Sequence, residues 1–274
     1  MRFPLFLPAL LALAACTFQG GGIVPLAPAP AAVGDDDLEV PYVQTPRPVV
    51  AAMLDLAEVG PADYLIDLGS GDGRIAIMAA QRGARALGVD LDPDRVAEAT
   101  NAAQIAQVQT RALFRRQDLF ETPLREANVV TLYLLPRVNM RLRPRLLTEL
   151  RPGARIVSHN FTMGDWRPDE TRELGASHVY FWVVPAAAEG SWAFATNGSA
   201  PQRLELEQRF QDVSGSLDGT PLRDVSLRGR HLRFTVDLPG GARTFHALVE
   251  DGAILPDPAG PAGSPGGWRA VRAY

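Results

Sequence analysis

The stretch Ile66-Asp67-Leu68-Gly69-Ser70-Gly71-Asp72-Gly73-Arg74-Ile75 decides how this chain folds. Residues 64–68 make a short apolar run of the kind that forms a buried strand, and 74–80 carry the spacing of a helix's first turns. The glycines therefore fall at a strand-to-helix turn. There the backbone must bend sharply and approach a ligand closely, and residues without a Cβ permit both. The pattern is Gly-x-Gly-x-Gly, with Arg74 where a dinucleotide fingerprint places its last glycine. It points to a nucleotide-type ligand and away from NAD or FAD.

Two later strands end in acids suited to the same ligand. A strand expected over 84–89 leads into Asp90, and a carboxylate at that tip can accept two hydrogen bonds from a ribose diol. A third, over 112–117, runs into Asp118-Leu119-Phe120, where a carboxylate suits the exocyclic amine of an adenine and apolar neighbours cover its ring.

These three segments, with Tyr42-Val43-Gln44-Thr45-Pro46 upstream, resemble the class I S-adenosylmethionine-dependent methyltransferases across roughly 42–196. The wording is closest to bacterial relatives of the seven-β-strand protein lysine methyltransferases. The resemblance implies a Rossmann-like α/β fold with a seven-stranded sheet, S-adenosylmethionine at the carboxyl ends of its strands, and in-line methyl transfer to a nucleophile, with a protein lysine as one candidate. It also implies cofactor contacts from Thr45, Asp67, Gly69, Ser70, Gly71, Asp72, Gly73, Asp90, Leu91, Asp118, Leu119 and Tyr133. Tyr133 stands where relatives shape the methyl pocket. Its surroundings, Tyr133-Leu134-Leu135-Pro136, lack the Asp/Asn-Pro-Pro-Tyr motif of many amine- and amide-directed members, which argues against glutamine and adenine acceptors and leaves the acceptor open. His159, a second catalytic candidate, Asn160 and Met163-Gly164-Asp165-Trp166 are expected to line the acceptor side. A lysine acceptor must be neutral to attack, and desolvation beside aromatic groups lowers its pKa.

Composition bounds the partners. A chain of 274 residues, 46% hydrophobic and 21% charged, can bury a full core, which excludes disorder throughout. The net charge of −4 offers no overall footprint for nucleic acid, and none is expected as a partner. All 27 basic residues are arginine, so the chain has no lysine of its own to methylate. No metal-ligand spacing and no hydrolase-like Ser/His/Asp order is present.

The amino terminus carries a different message. Met1-Arg2, an apolar run over 3–12 and Leu13-Ala14-Ala15-Cys16 resemble a bacterial lipoprotein signal, too short to span a membrane. That resemblance implies a leader at 1–15, lipidation of Cys16 and an envelope protein anchored on the periplasmic side. A misassigned start ahead of a cytoplasmic enzyme is the alternative. Residues 16–40, rich in Gly, Pro and Ala and then acidic at Asp35-Asp36-Asp37, read as a flexible tether. S-adenosylmethionine is made in the cytosol and does not cross hydrocarbon unaided, so an exported enzyme needs a supply.

From 41 to 197 strand and helix patterns alternate, which specifies a mostly parallel sheet covered by helices. Segments 178–184 and 191–195 are expected to close that sheet as a hairpin. Helical periodicity fades over 201–274, leaving a small β-rich appendage. Arg137, Arg141 and Arg145 form a basic stripe on a helix interrupted by Pro144. Two other readings stay open at this point: a non-catalytic envelope lipoprotein with a vestigial nucleoside pocket and a partner-binding β domain, and a small-molecule methyltransferase.

Overall fold

The computed structural model describes residues 43–197 and 200–273. The expected leader at 1–15, Cys16 and the 16–40 tether lie outside the described residues. Strands and helices alternate through α1 (Arg47–Leu56), β1 (Tyr64–Leu68), α2 (Arg74–Gln81), β2 (Arg85–Asp90), α3 (Pro93–Ile105), β3 (Ala112–Arg116), β4 (Val129–Leu132), α4 (Pro136–Glu149) and β5 (Arg155–His159). Two strands without a helix follow, β6 (Glu170–Leu174) and β7 (Ser177–Val183). Together they form a seven-stranded sheet ordered β3-β2-β1-β4-β5-β7-β6. Its β7 is antiparallel to both neighbours, and the remaining pairs are parallel. The chain runs outward from β1 to β3 and returns through β4, so the connections leaving β1 and β4 diverge and open a crevice at their carboxyl ends.

Alternation along β1 fixes what reaches that crevice. Leu65 joins the face covered by α1 and α2, with Val50, Met53, Leu54 and Ile75, whereas Ile66 and Leu68 join the face covered by α4, with Val138, Leu142 and Leu146. Both faces are covered, so a one-residue slip would exchange the two sets and turn the Asp67 carboxyl into the apolar core beneath α4, away from Thr131, which is costly. Asp67 is thereby set opposite Thr131 of β4. Asp92 caps α3 by accepting the Asp94 N–H at 2.8 Å, with Pro93 at the first helical position. Helix α4 runs unbroken through Pro144. Its arginine stripe is partly turned onto the chain itself: Arg141 lies 4.0 Å from the Phe120 ring, and Arg145 donates to Glu149 and to the Thr122 carbonyl.

Beyond β7 the chain is all β: β8 (Gly190–Thr196), β9 (Gln202–Arg209), β10 (Asp212–Leu217), β11 (Thr220–Pro221), β12 (Arg223–Arg228), β13 (His231–Leu238), β14 (Gly241–Glu250), β15 (Ala253–Pro256) and β16 (Trp268–Arg272). They form a nine-stranded antiparallel sheet ordered β11-β10-β9-β8-β16-β15-β14-β13-β12. Leu217 and Leu227, near opposite ends of that order, share one core with Trp192, Phe194, Phe234, Phe245 and Trp268. The sheet thus curls on itself into a partial barrel whose inside is filled by side chains. Gln208 fastens the connection to it, accepting the Ala188 N–H at 2.7 Å and donating to the Ala186 carbonyl at 2.9 Å.

The expected hairpin of 178–184 with 191–195 does not form. Strand β7 pairs with β5 and β6, while β8 pairs with β9 and β16. The change of sheet therefore comes between β7 and β8, and the expected boundary at 197 falls after the first strand of the barrel. Strand β6 was not expected, because Glu170 to Arg172 and Glu173 are exposed and polar on both faces. A charged edge strand of this kind discourages pairing with another chain.

Candidate active site

A cavity of about 740 Å³ occupies the crevice, a size suited to a nucleoside joined to an amino acid. Asp67, Gly69, Ser70, Gly71 and Asp72 reach it from β1 and the following turn, and Val89, Asp90 and Leu91 from β2. Gln117 and Leu119 contribute from beyond β3, Tyr133 and Leu134 from beyond β4, and Val43, Gln44 and Thr45 from the segment before α1.

The turn is shaped by its glycines. Gly69, Gly71 and Gly73 have φ of 77°, 52° and 78°, a region costly for other residues. A Cβ on Gly73 would lie 2.5 Å from the Phe114 ring and 2.8 Å from Ala99. Gly73 is absent from the cavity wall and serves the packing of α2 and α3 on β3. The amide of Gly71 donates to Asp90 Oδ2 at 2.8 Å and that of Asp92 to Oδ1 at 3.0 Å. Asp90 is so oriented by two backbone donors, and each oxygen keeps a lone pair for a ligand.

Asp67 is buried and takes the Thr131 hydroxyl at 2.7 Å. Burial, reinforced by the carboxylates of Asp90 and Asp72 and opposed by the Thr131 bond, pushes its pKa up to about 7. Asp72 is engaged side-on by Arg74, whose Nε lies 2.9 and 3.0 Å from its two oxygens, and by Gln44 at 3.3 Å. Arg74 also donates from NH1 to the Thr45 carbonyl at 2.9 Å. The pair Asp72–Arg74 so clamps residues 44–45 against the glycine turn.

At the far end of the cavity Tyr133 lies against His159, ring centroids 4.0 Å apart, and is stacked with Phe161 at 6.1 Å. Thr45 Oγ1 is 3.3 Å from His159 Nδ1. Burial lowers the His159 pKa to about 4, so the ring is neutral at physiological pH. Its Nε2 has no hydrogen-bond partner, and neither does Ser70 Oγ in the cavity wall.

Of the cofactor contacts expected from the sequence, Thr45, Asp67, Gly69, Ser70, Gly71, Asp72, Asp90, Leu91, Leu119 and Tyr133 line the one cavity, and Gly73 and Asp118 do not. Asp118 instead accepts the Phe120 N–H at 2.7 Å, and its neighbour Gln117 faces the cavity. His159 sits behind Thr45 and Tyr133 rather than in the wall. Asn160 accepts the His178 N–H at 2.8 Å and Trp166 is fully buried, and neither lines this cavity. Gln44, Arg74 and Gln117 were missed. Gln44 and Gln117 stand inside stretches that carry the family resemblance, and Arg74 left a signal as the residue displacing a fingerprint glycine.

The family profile described as the ANTKMT methyltransferase domain matches residues 67–170. A protein-lysine N-methyltransferase of Saccharolobus islandicus is 42% identical over 151 residues, 53% of this chain and 94% of that protein. The chain belongs to the class I S-adenosylmethionine-dependent methyltransferases. Other members align with it as well. The mouse adenine nucleotide translocase lysine N-methyltransferase is 35% identical over 165 residues, 60% of this chain and 66% of that protein. A crystal structure of an RNA methyltransferase from Salinibacter ruber with S-adenosyl-L-homocysteine has a TM-score of 0.52 at 52% identity, covering 53% of this chain and 95% of that one. This methyltransferase is therefore an enzyme that uses S-adenosylmethionine. The cavity suits that cofactor: an oriented carboxylate at the tip of β2, the free Ser70 hydroxyl, and acids facing a permanent cation.

Proposed function

We propose that the methyl acceptor is a lysine amine of a protein, and that the cavity described above holds the donor. The observation that carries this reading is the 42% identity along nearly the whole Saccharolobus protein-lysine N-methyltransferase. Asp90 would hold the ribose diol, Leu119 and Gln117 the adenine, and Asp67, Ser70 and Asp72 the methionine end. When bound, S-adenosylmethionine supplies an electrophilic methyl carbon on a sulfonium. The chain's part is alignment and exclusion of water. Tyr133 and Phe161, with the His159 ring packed behind Tyr133, give the acceptor side an aromatic wall that solvates an ammonium poorly, so an entering lysine surrenders its proton. A neutral His159 adds no positive charge beside the donor. The net charge of −4 supports a protein acceptor over RNA. Labelled S-adenosylmethionine offered with a lysine peptide, cell protein and cell RNA tests this: label on lysine is expected, and label confined to RNA or small molecules would refute it.

We also infer from residues 1–16 that the enzyme is a lipid-anchored envelope protein acylated on Cys16. Cys16→Ser should release it from membranes, and unchanged fractionation would exclude the anchor.

A further inference from the structure

The family match ends at residue 170, yet the partial barrel beyond it grips the loop that leads away from the acceptor side. We propose that Phe210 and Gln211, in the turn between β9 and β10, are positioning residues for methyl transfer: they fix loop 160–168 and through it the Phe161–Tyr133 wall. This rests on the acceptor entering beside Tyr133 and Phe161.

One buried amide holds the loop twice. Trp166 Nε1–H donates to Gln211 Oε1 at 2.9 Å, and Gln211 Nε2 donates to the Arg167 carbonyl at 2.7 Å. Gln211 is 6% exposed and Trp166 0%, so neither partner has water as a substitute. Phe210 stacks on Trp166 with centroids 5.8 Å apart, under the guanidinium of Arg143, which itself donates to the Met163 carbonyl at 2.9 Å. Phe210 has a φ of 55°, an unfavourable conformation for a bulky residue. Gly or Asn would adopt this φ with less strain; the ring that stands there instead packs on Trp166. At the loop's other end Asn139 Nδ2 lies 3.3 Å from the Phe161 carbonyl and 3.4 Å from that of Thr162. Phe161 stacks with Tyr133, which lines the cofactor cavity. The barrel turn and the methyl site are thus joined by packed, hydrogen-bonded groups without a break.

Two full-length disrupting variants and one restoring variant test this. Phe210→Gly removes the ring at a backbone position glycine prefers, so the turn keeps its shape; Gln211→Leu removes both hydrogen bonds, and Gln211→Glu restores the acceptor for Trp166. Hydrogen exchange should quicken in 160–168 and not in 64–91, with S-adenosylmethionine affinity unchanged by calorimetry. Transfer to a lysine peptide, or to whichever cell protein or RNA fraction the wild type methylates, should lose roughly 10- to 100-fold in kcat/KM for acceptor. Gln211→Glu should recover part of that loss. Unchanged acceptor kinetics in both variants, or a parallel fall in cofactor affinity, would overturn the assignment. A wild type that ignores the lysine peptide but methylates another fraction counts against the lysine reading only.

Discussion

The Thr45 hydroxyl lies 3.3 Å from Nδ1 of His159, so the segment entering α1 touches the end of β5 across 114 positions of sequence. Both residues are buried, and the Thr45 carbonyl is held in turn by Arg74. The contact joins the clamp over the glycine turn to the ring cluster of His159, Tyr133 and Phe161.

Thr45→Val keeps the shape and removes the hydroxyl, leaving the ring nitrogen without its neighbour. Stability should fall by about 1 kcal/mol, Thr45→Ser should retain most of it, and the loss should vanish when His159 is already Phe. Urea unfolding of the four combinations measures the coupling.

Asp67 and His159 pull stability in opposite directions with pH. Asp67, raised to about 7, keeps in the native state a proton the unfolded chain gives up, so its contribution falls as pH climbs from about 4 to about 7. His159, lowered to about 4, refuses a proton the unfolded chain takes up, so its contribution rises between about 4 and about 6.5. Asp67→Asn should unmask the rising limb and His159→Phe the falling one in urea midpoints measured from pH 4 to 8. Parallel profiles in all three proteins would contradict both assignments.

With the sulfonium beside Asp67, as proposed above, its carboxylate is favoured, so cofactor binding near pH 6.5 should expel protons. Calorimetry in buffers of different ionisation enthalpy should show that release in the wild type and its loss in Asp67→Asn. Equal proton counts would mean Asp67 does not sense the cofactor's charge.

Arg74 meets Asp72 with a planar fork while NH1 reaches the Thr45 carbonyl. A lysine ammonium cannot serve both at once, so Arg74→Lys should weaken S-adenosylmethionine binding about tenfold despite preserving charge. Titration of the variant against the wild type reads this directly.

Gly73→Ala drives a methyl group into Phe114 at a φ of 78°. The expected cost is roughly 2 kcal/mol or more, with Phe114→Leu recovering the steric part and leaving the backbone part, as thermal unfolding of the single and double variants would show.

What the sequence by itself determined is local. The strand, glycine turn and helix over 64–81, and the acid at the tip of β2, follow from conformational demands and burial alternation that neighbouring residues impose on one another. Six of the ten expected contacts that line the cavity, Asp67, Gly69, Ser70, Gly71, Asp72 and Asp90, lie in these segments. Only the tertiary structure decided partners. Segment 191–195 reads as a strand, but its backbone donors and acceptors are the same whichever edge they meet, and burial of Trp192 and Phe194 in the barrel core chose β9 and β16 over β7. The polar β6 became a strand because β7 offered it an open ladder. Thr45 with His159 and Trp166 with Gln211 meet for the same reason: each pair is brought together by the closing of a core, and no spacing along the chain encodes that.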